Sequence, residues 1–286
     1  MCALEAEEGF AAAADGRRIF YRVSGKGPFA VVMPPNWGVD SYLYTKGLSS
    51  LEFWLALVTF DPRGVGRSES VQSAVEFGMT VTVKDAAAVA DALHVQRGVV
   101  IGHSGGGAVA LAYALAYPAR VSHLILISTA ARWTERGEDA ADAAYPSTEE
   151  EMRRQFAASI PLALHEPSKF SRAMQELLPR MRFSPERFRW AGEVEYDAYD
   201  LRQALQTIQA PVLIVHGRED RVVPVRRAQE LHAGIPGSRL VVLEDCGHWP
   251  FVERRQDFLA VVKEFLGLES VADRRTAGRG RLRSGS

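Results

Sequence analysis

Ser104, Asp220 and His248 stand in the chain order nucleophile, acid, base, each a few residues beyond a short apolar run. A serine hydroxyl is inert until a base takes its proton, and the base needs an oriented carboxylate to hold its tautomer. Ser104 sits in Gly102-His103-Ser104-Gly105-Gly106, a G-x-S-x-G pattern between the β-branched "GVVIG" and the Ala-rich "GGAVALAYALAYP". The pattern is weak by itself. Between a buried strand and a helix it predicts a sharp turn that lifts the serine clear of its neighbours and sets it at a helix N-terminus. A phosphate cradle fits less well, because "GHSGGG" is neither G-x-G-x-x-G nor followed by the Lys-Ser/Thr pair of a P-loop.

The partners follow from position. "PVLIVHGREDRVVP" supplies Asp220 just past a strand, with Glu219 beside it as an alternative acid expected to face outward. "RLVVLEDCGHWPFVE" supplies His248 past the last strand. Of the other six histidines, His103 is expected to pack beneath the turn and His216 to be structural. His94, His123, His165 and His232 have no partner motif. Cys2 and Cys246 lack a C-x-x-C partner and the histidines lack ligand spacing, so neither a metal nor an organic cofactor is expected.

The elements that must position these residues are legible as alternation. "RIFYRVSG", "FAVVMP", "LALVTFD", "GVVIG", "HLILIST", "PVLIVHG" and "RLVVLED" read as strands, with helical stripes such as Val83, Ala87, Ala90 and Leu93 between them. Strand–helix alternation implies a mostly parallel sheet flanked by helices on both faces, an α/β fold. The interval 131–208 is too long for one crossover and strand-free, with helical periodicity in "EEEMRRQFAASIPLAL" and "PSKFSRAMQELLPRM". It reads as an inserted helical cap, leaving 1–130 and 209–268 as the core. Trp133, Phe156, Met174, Met181, Phe183 and Trp190 are candidates to line a pocket under the cap or to pack its helices. Glu193, Glu195, Asp197 and Asp200 are candidates for a substrate amine or a solvated face.

Composition bounds the rest. With 286 residues, 47% of them hydrophobic, the chain can bury a large core, and a net charge of −1 favours neither nucleic acid nor an anionic membrane. Two cysteines argue against a structural disulfide and suit a reducing compartment. The acidic "MCALEAEEGF" has no apolar leader core, and no uncharged apolar run reaches membrane-spanning length, so a cytoplasmic protein is expected. The segment 269–286 carries five arginines against Glu269 and Asp273 and is expected to be a disordered basic tail.

Five blocks in this order resemble the α/β-hydrolase fold superfamily. They are "VVMPPNWG", "FDPRGVGRS", "VVIGHSGGG", "HGREDRVVP" and "DCGHWPFVE", spanning about Phe20 to Leu266. "DPRGVGRS" and "EYDAYDLRQALQTIQAP" look closest to proline iminopeptidase-like members and small-molecule esterases. The resemblance implies a serine hydrolase acting on a small acyl substrate, with backbone N–H groups of Trp37 and Gly105 as the oxyanion hole. Two departures stand out. Pro35-Asn36 replaces the usual His-Gly of the oxyanion loop. The tryptophan that proline iminopeptidases carry after the serine is missing. A serine nucleophile disfavours the epoxide and haloalkane chemistry of carboxylate-bearing members. It leaves ester, lactone, thioester or amide hydrolysis, acyl transfer and C–C cleavage. A non-catalytic ligand receptor is the rival from another class.

Overall fold

The computed structural model describes residues 6–133 and 145–268; the expected basic tail and residues 1–5 and 134–144 lie outside them. Eight strands form one sheet in the order β1-β2-β4-β3-β5-β6-β7-β8. They are β1 (Glu7–Ala12), β2 (Arg18–Ser24), β3 (Phe29–Met33), β4 (Ala56–Phe60), β5 (Gly98–His103), β6 (Val121–Ile127), β7 (Val212–Gly217) and β8 (Arg239–Leu243). β4 through β8, with β3, run parallel, whereas β1 and β2 form an antiparallel hairpin on β4. The seven expected strands are all present. β1 went unread because "EEGFAA" lacks the β-branched residues that mark strands; only pairing along β2 makes it one.

Each parallel strand is apolar on both faces, and the strand period of two divides the core. Ala30 and Val32 of β3 join one cluster, while Val31 and Met33 join the other. The second face is covered by α2 (Met79–Ala92), α3 (Gly105–Ala116) and α8 (Arg226–Gly234) through Val83, Val109, Leu111 and Leu231. The first is covered by α1 (Tyr42–Gly47), α9 (Pro250–Glu253) and α10 (Arg255–Leu266) through Leu43, Tyr44, Phe251, Phe258 and Val262.

Between β6 and β7 the described elements are helical. They are α4 (Glu149–Ala163), α5 (Pro167–Gln175), α6 (Pro185–Trp190), a π-helical turn over Ala191–Glu195 and α7 (Tyr196–Ala198). Thr148 caps α4 by accepting from Glu151 N at 3.2 Å, and Ser184 caps α6 by accepting from Arg187 N at 3.3 Å. Met152, Ile160, Met174, Met181 and Phe183 of this insertion join the first-face cluster, so it packs as an extension of the core.

β3 pairs with β4 on one side and β5 on the other, so the chain leaves these neighbours in opposite directions. A crevice opens at their carboxyl ends, where parallel α/β sheets place ligands. The loop after β3 and the turn after β5 face each other across it.

One polar element of the loop after β3 leaves a pH signature. Asp40 is 6% exposed; burial first, and then the charge of Asp61, push its carboxyl up to about 7. The folded protein therefore keeps a proton that the unfolded chain loses near pH 4, and stability falls as pH rises from about 4 to 7. Asp40→Asn should leave Tm near wild type at pH 4 and raise it above wild type at pH 8. A Tm difference that is the same at both pH values would refute this.

Candidate active site

Ser104 follows β5 directly and begins the turn into α3, with φ 52° and ψ −126°. A side chain rarely adopts this region, and holding it costs on the order of 1–3 kcal/mol. The backbone around it is fixed at both ends. Ser104 N donates to Ile127 O at 2.9 Å, and Ser104 O accepts from Gly107 N at 2.9 Å and Thr129 Oγ1 at 2.7 Å. The elbow also needs room. A Cβ on Gly102 would collide with Gly106 O and lie 2.6 Å from Gly107 Cα, and one on Gly106 would strike Met33 O.

The acid and the histidine come from loops past β7 and β8. Asp220 Oδ1 accepts from Val222 N at 2.9 Å and Val223 N at 2.8 Å, leaving Oδ2 for His248 Nδ1 at 2.8 Å. The carboxylate must accept, so Nδ1 carries the hydrogen of this bond. Burial opposes ionisation of Asp220, but the charge of His248 and the hydrogen bonds of His216 and His248 outweigh it. Its carboxyl is held below the usual range. His216 donates from Nε2 to Val223 O at 2.7 Å and so braces the same loop, in keeping with a structural role.

Glu219 departs from expectation. It turns back and accepts from Cys246 N at 2.9 Å, tying the acid loop to the histidine loop instead of facing outward. Cys246 beside it is fully buried, and burial pushes its thiol well up, away from nucleophilic use.

His103 is neutral: burial and then His248 lower its pKa well below the ordinary value. Its Nε2 donates to His248 O at 2.8 Å, so its Nδ1 accepts from Tyr44 OH at 3.1 Å. His103 thus links the elbow to the backbone of His248. Tyr44, 59 positions away, carried no sequence signal for this.

Trp37 and Gly105 approach each other across the crevice. A Cβ on Gly105 would lie 3.1 Å from Trp37 Cδ1 and 3.5 Å from Asn36 N. Among the described residues, neither the Trp37 nor the Gly105 amide donates to a protein acceptor. Both residues line one cavity with Ser104, His103 and His248, of about 490 Å³. Its other walls include Leu43, Met152, Phe156, Phe188, Val222 and Trp249, with Gln155, Ser159 and Tyr196 as polar side chains.

The helical insertion supplies much of that lining, but not as a simple count of its aromatics. Trp133 and Phe156 face the cavity, whereas Met174, Met181 and Phe183 are spent on the core and Trp190 is absent from the wall. The four acids also miss it. Glu195 is buried against Asn36 and Met79 N, and Asp200 pairs with Arg202 at 2.6 Å. Glu193 and Asp197 are exposed. Neither a solvated face nor an amine site describes Glu195.

The insertion also holds the histidine loop. His248 N donates to Ala163 O at 2.7 Å. Glu253 accepts from Gly247 N at 3.1 Å, Trp249 N at 3.3 Å and His165 N at 2.7 Å. No group of three or more metal-binding side chains occurs among the described residues, and no helix there is long and apolar enough to cross a membrane.

The alpha/beta hydrolase fold family model matches residues 30–255, and the chain belongs to that family. It is 32% identical over 206 residues to a 2-hydroxy-6-oxo-2,4-heptadienoate hydrolase of Pseudomonas putida, covering 68% of this chain and 72% of that protein. It is 27% identical to a pimeloyl-[acyl-carrier protein] methyl ester esterase of Aliivibrio salmonicida, over 87% of this chain and 95% of that one. The solved esterase of Exiguobacterium antarcticum superposes with a TM-score of 0.77 at 26% identity, over 91% of this chain and all of that chain. The protein is therefore a hydrolase of the α/β fold.

Glu253→Ala leaves three buried or half-buried N–H groups without an acceptor, each worth about 1–3 kcal/mol. Relaxation will recover part, so urea titration should show a loss of about 2–4 kcal/mol. An unchanged midpoint would rule out this anchoring of the histidine loop.

Proposed function

We propose that the protein is a serine hydrolase that cleaves a small, mainly apolar acyl substrate, an ester or lactone, through an acyl-enzyme intermediate. The observation that carries this is the 2.8 Å contact of His248 Nδ1 with buried Asp220, with His248 and Ser104 facing one cavity. Ser104 Oγ attacks the acyl carbonyl while His248 Nε2 takes its proton, and Asp220 stabilises the imidazolium. The leaving group then takes that proton from His248. Water, deprotonated by the same nitrogen, releases the acid and regenerates Ser104. The N–H groups of Trp37 and Gly105 receive the oxyanion in both steps. Removing one such donor typically costs about 3–4 kcal/mol of transition-state stabilisation.

The cap bounds the substrate. Trp37, Phe156, Phe188 and Trp249 give the acyl group an aromatic enclosure, with Phe156 ring-to-ring at 5.6 Å from Trp37 and 6.4 Å from Trp249. A neutral acyl chain fits these walls. Among the described residues no carboxylate lines the cavity, and the walls are mainly apolar, which favours a neutral acyl group over a substrate amine. C–C cleavage of a keto-dienoate is the second reading, favoured by the 32% identity to a protein named as a 2-hydroxy-6-oxo-2,4-heptadienoate hydrolase.

Ser104→Ala should lower turnover of p-nitrophenyl butyrate by at least a thousandfold, in the range roughly expected for a triad knockout. Turnover equal to wild type would sink the assignment. In a competition panel, p-nitrophenyl esters and butyrolactones should exceed both a 2-hydroxy-6-oxo-dienoate and Pro-arylamide in kcat/KM. A higher value for the dienoate would move the protein to the second reading.

A further inference from the structure

The most deeply buried charge among the described residues lies behind the oxyanion loop, outside the cavity. Arg187 of α6 has no exposed surface. Its Nη1 donates to Arg63 O at 2.9 Å, and its Nη2 donates to Thr82 Oγ1 at 2.7 Å and to Asn36 Oδ1. Thr82 Oγ1 in turn donates to Asn36 Oδ1 at 2.9 Å. The other end of the Asn36 amide donates from Nδ2 to Glu195 and to Phe77 O at 3.3 Å, while Glu195 Oε1 accepts from Met79 N at 2.6 Å. Burial drives Arg187 down to about 10, with Glu195 and Asp85 opposing, so it remains cationic at neutral pH. Burial raises the Glu195 carboxyl above its ordinary value, with the charge of Arg187 and the N–H donors of Asn36 and Met79 opposing.

Asn36 is therefore gripped at both ends of its side chain by residues of the cap, and it immediately precedes Trp37. The same stretch is tied to the cap by its backbone. Ser184 N donates to Gly38 O at 2.8 Å, Asp40 N donates to Arg182 O at 3.1 Å, and Val39 bridges Phe183. The peptide between Asn36 and Trp37 would otherwise rotate about two soft dihedrals, and one rotation turns its N–H away from the cavity. Here that rotation would drag a buried amide out of its hydrogen bonds to Arg187, Thr82, Glu195 and Phe77 O. The asparagine at this point of the loop thus has a physical reason: it is the handle by which the cap holds the loop.

We propose that Arg187, together with Glu195, is a positioning residue for the oxyanion hole, fixing the Trp37 N–H through Asn36 so that the hole is complete only with the cap seated. The proposal rests on the serine-hydrolase reading, and its test separates the two. Lysine keeps the charge of Arg187 but cannot reach three acceptors in one plane. Arg187→Lys should lower kcat on p-nitrophenyl butyrate about 10–100-fold, up to the loss seen when a hole donor is removed. KM should stay within about twofold. Glu195→Gln, which keeps the shape and one acceptor oxygen, should give a smaller loss of the same kind. In an Asn36→Gly background Arg187→Lys should add little, because the handle is gone. Affinity for butylboronic acid, whose tetrahedral adduct places an oxygen in the hole, should fall in step with kcat/KM.

Selective 15N-tryptophan labelling gives five backbone amide signals to resolve, one per tryptophan, with Trp37 assigned by its loss in Trp37→Phe. The Trp37 signal should move on adding butylboronic acid to the wild type and not to Arg187→Lys. A rise in KM alone would make Arg187 a substrate-binding group and overturn the proposal. So would a lowered Tm with unchanged kcat, or independent, multiplying losses in the Asn36→Gly background. Should Ser104→Ala retain full turnover, the hydrolase reading falls. The Trp37 signal of the free protein still decides whether Arg187→Lys displaces the loop, and coincident signals overturn the proposal.

Discussion

The backbone of Ser104, held at φ 52°, is the constraint from which the rest of the site takes its shape. A strain of about 1–3 kcal/mol persists only where the surroundings over-determine it. Here β5 is locked between β3 and β6, Ile127 O and Thr129 Oγ1 grip the peptide on either side, and α3 leaves through Gly106 and Gly107, too crowded for any Cβ. The sheet supplies rigidity, and its switch between β3 and β5 supplies the crevice. Without both, the turn would relax and the hydroxyl would sink against its neighbours.

Electrostatics then orders the histidines. Three of them crowd the elbow, with His103 and His248 ring centroids 4.7 Å apart, yet each has a separate role set by what its nitrogens meet. His103 is capped at both nitrogens, by Tyr44 and His248 O, so it can only brace. His216 is committed to Val223 O. His248 has Nδ1 fixed by Asp220 and lines the cavity, which is what the proposed general base requires.

The helical insertion is more than a cover. It binds the histidine loop through Ala163 O and His165 N, and the oxyanion loop through Arg187, Glu195 and the backbone around Ser184. The two halves of the proposed machinery are each latched to the same insertion. Its residues divide between latching and lining: Phe156 and Phe188 face the cavity while Arg187 and Glu195 point into the protein behind it.

What the sequence determined follows from local rules. Strand runs, the strand–turn–helix context of Ser104, and an acid and a histidine just past later strands are all readable because periodicity and turn chemistry act over a few residues. The family followed from five such blocks in order. What only the tertiary structure decided involves partners far apart in the chain and without a local pattern. β1 is a strand because β2 offers it an edge. Glu195 reads as one of four surface acids until Asn36, 159 positions away, meets it in the interior. Tyr44 and Arg187 carry no motif, because burying a polar group depends on which long-range neighbour satisfies it, and no spacing along the chain encodes that.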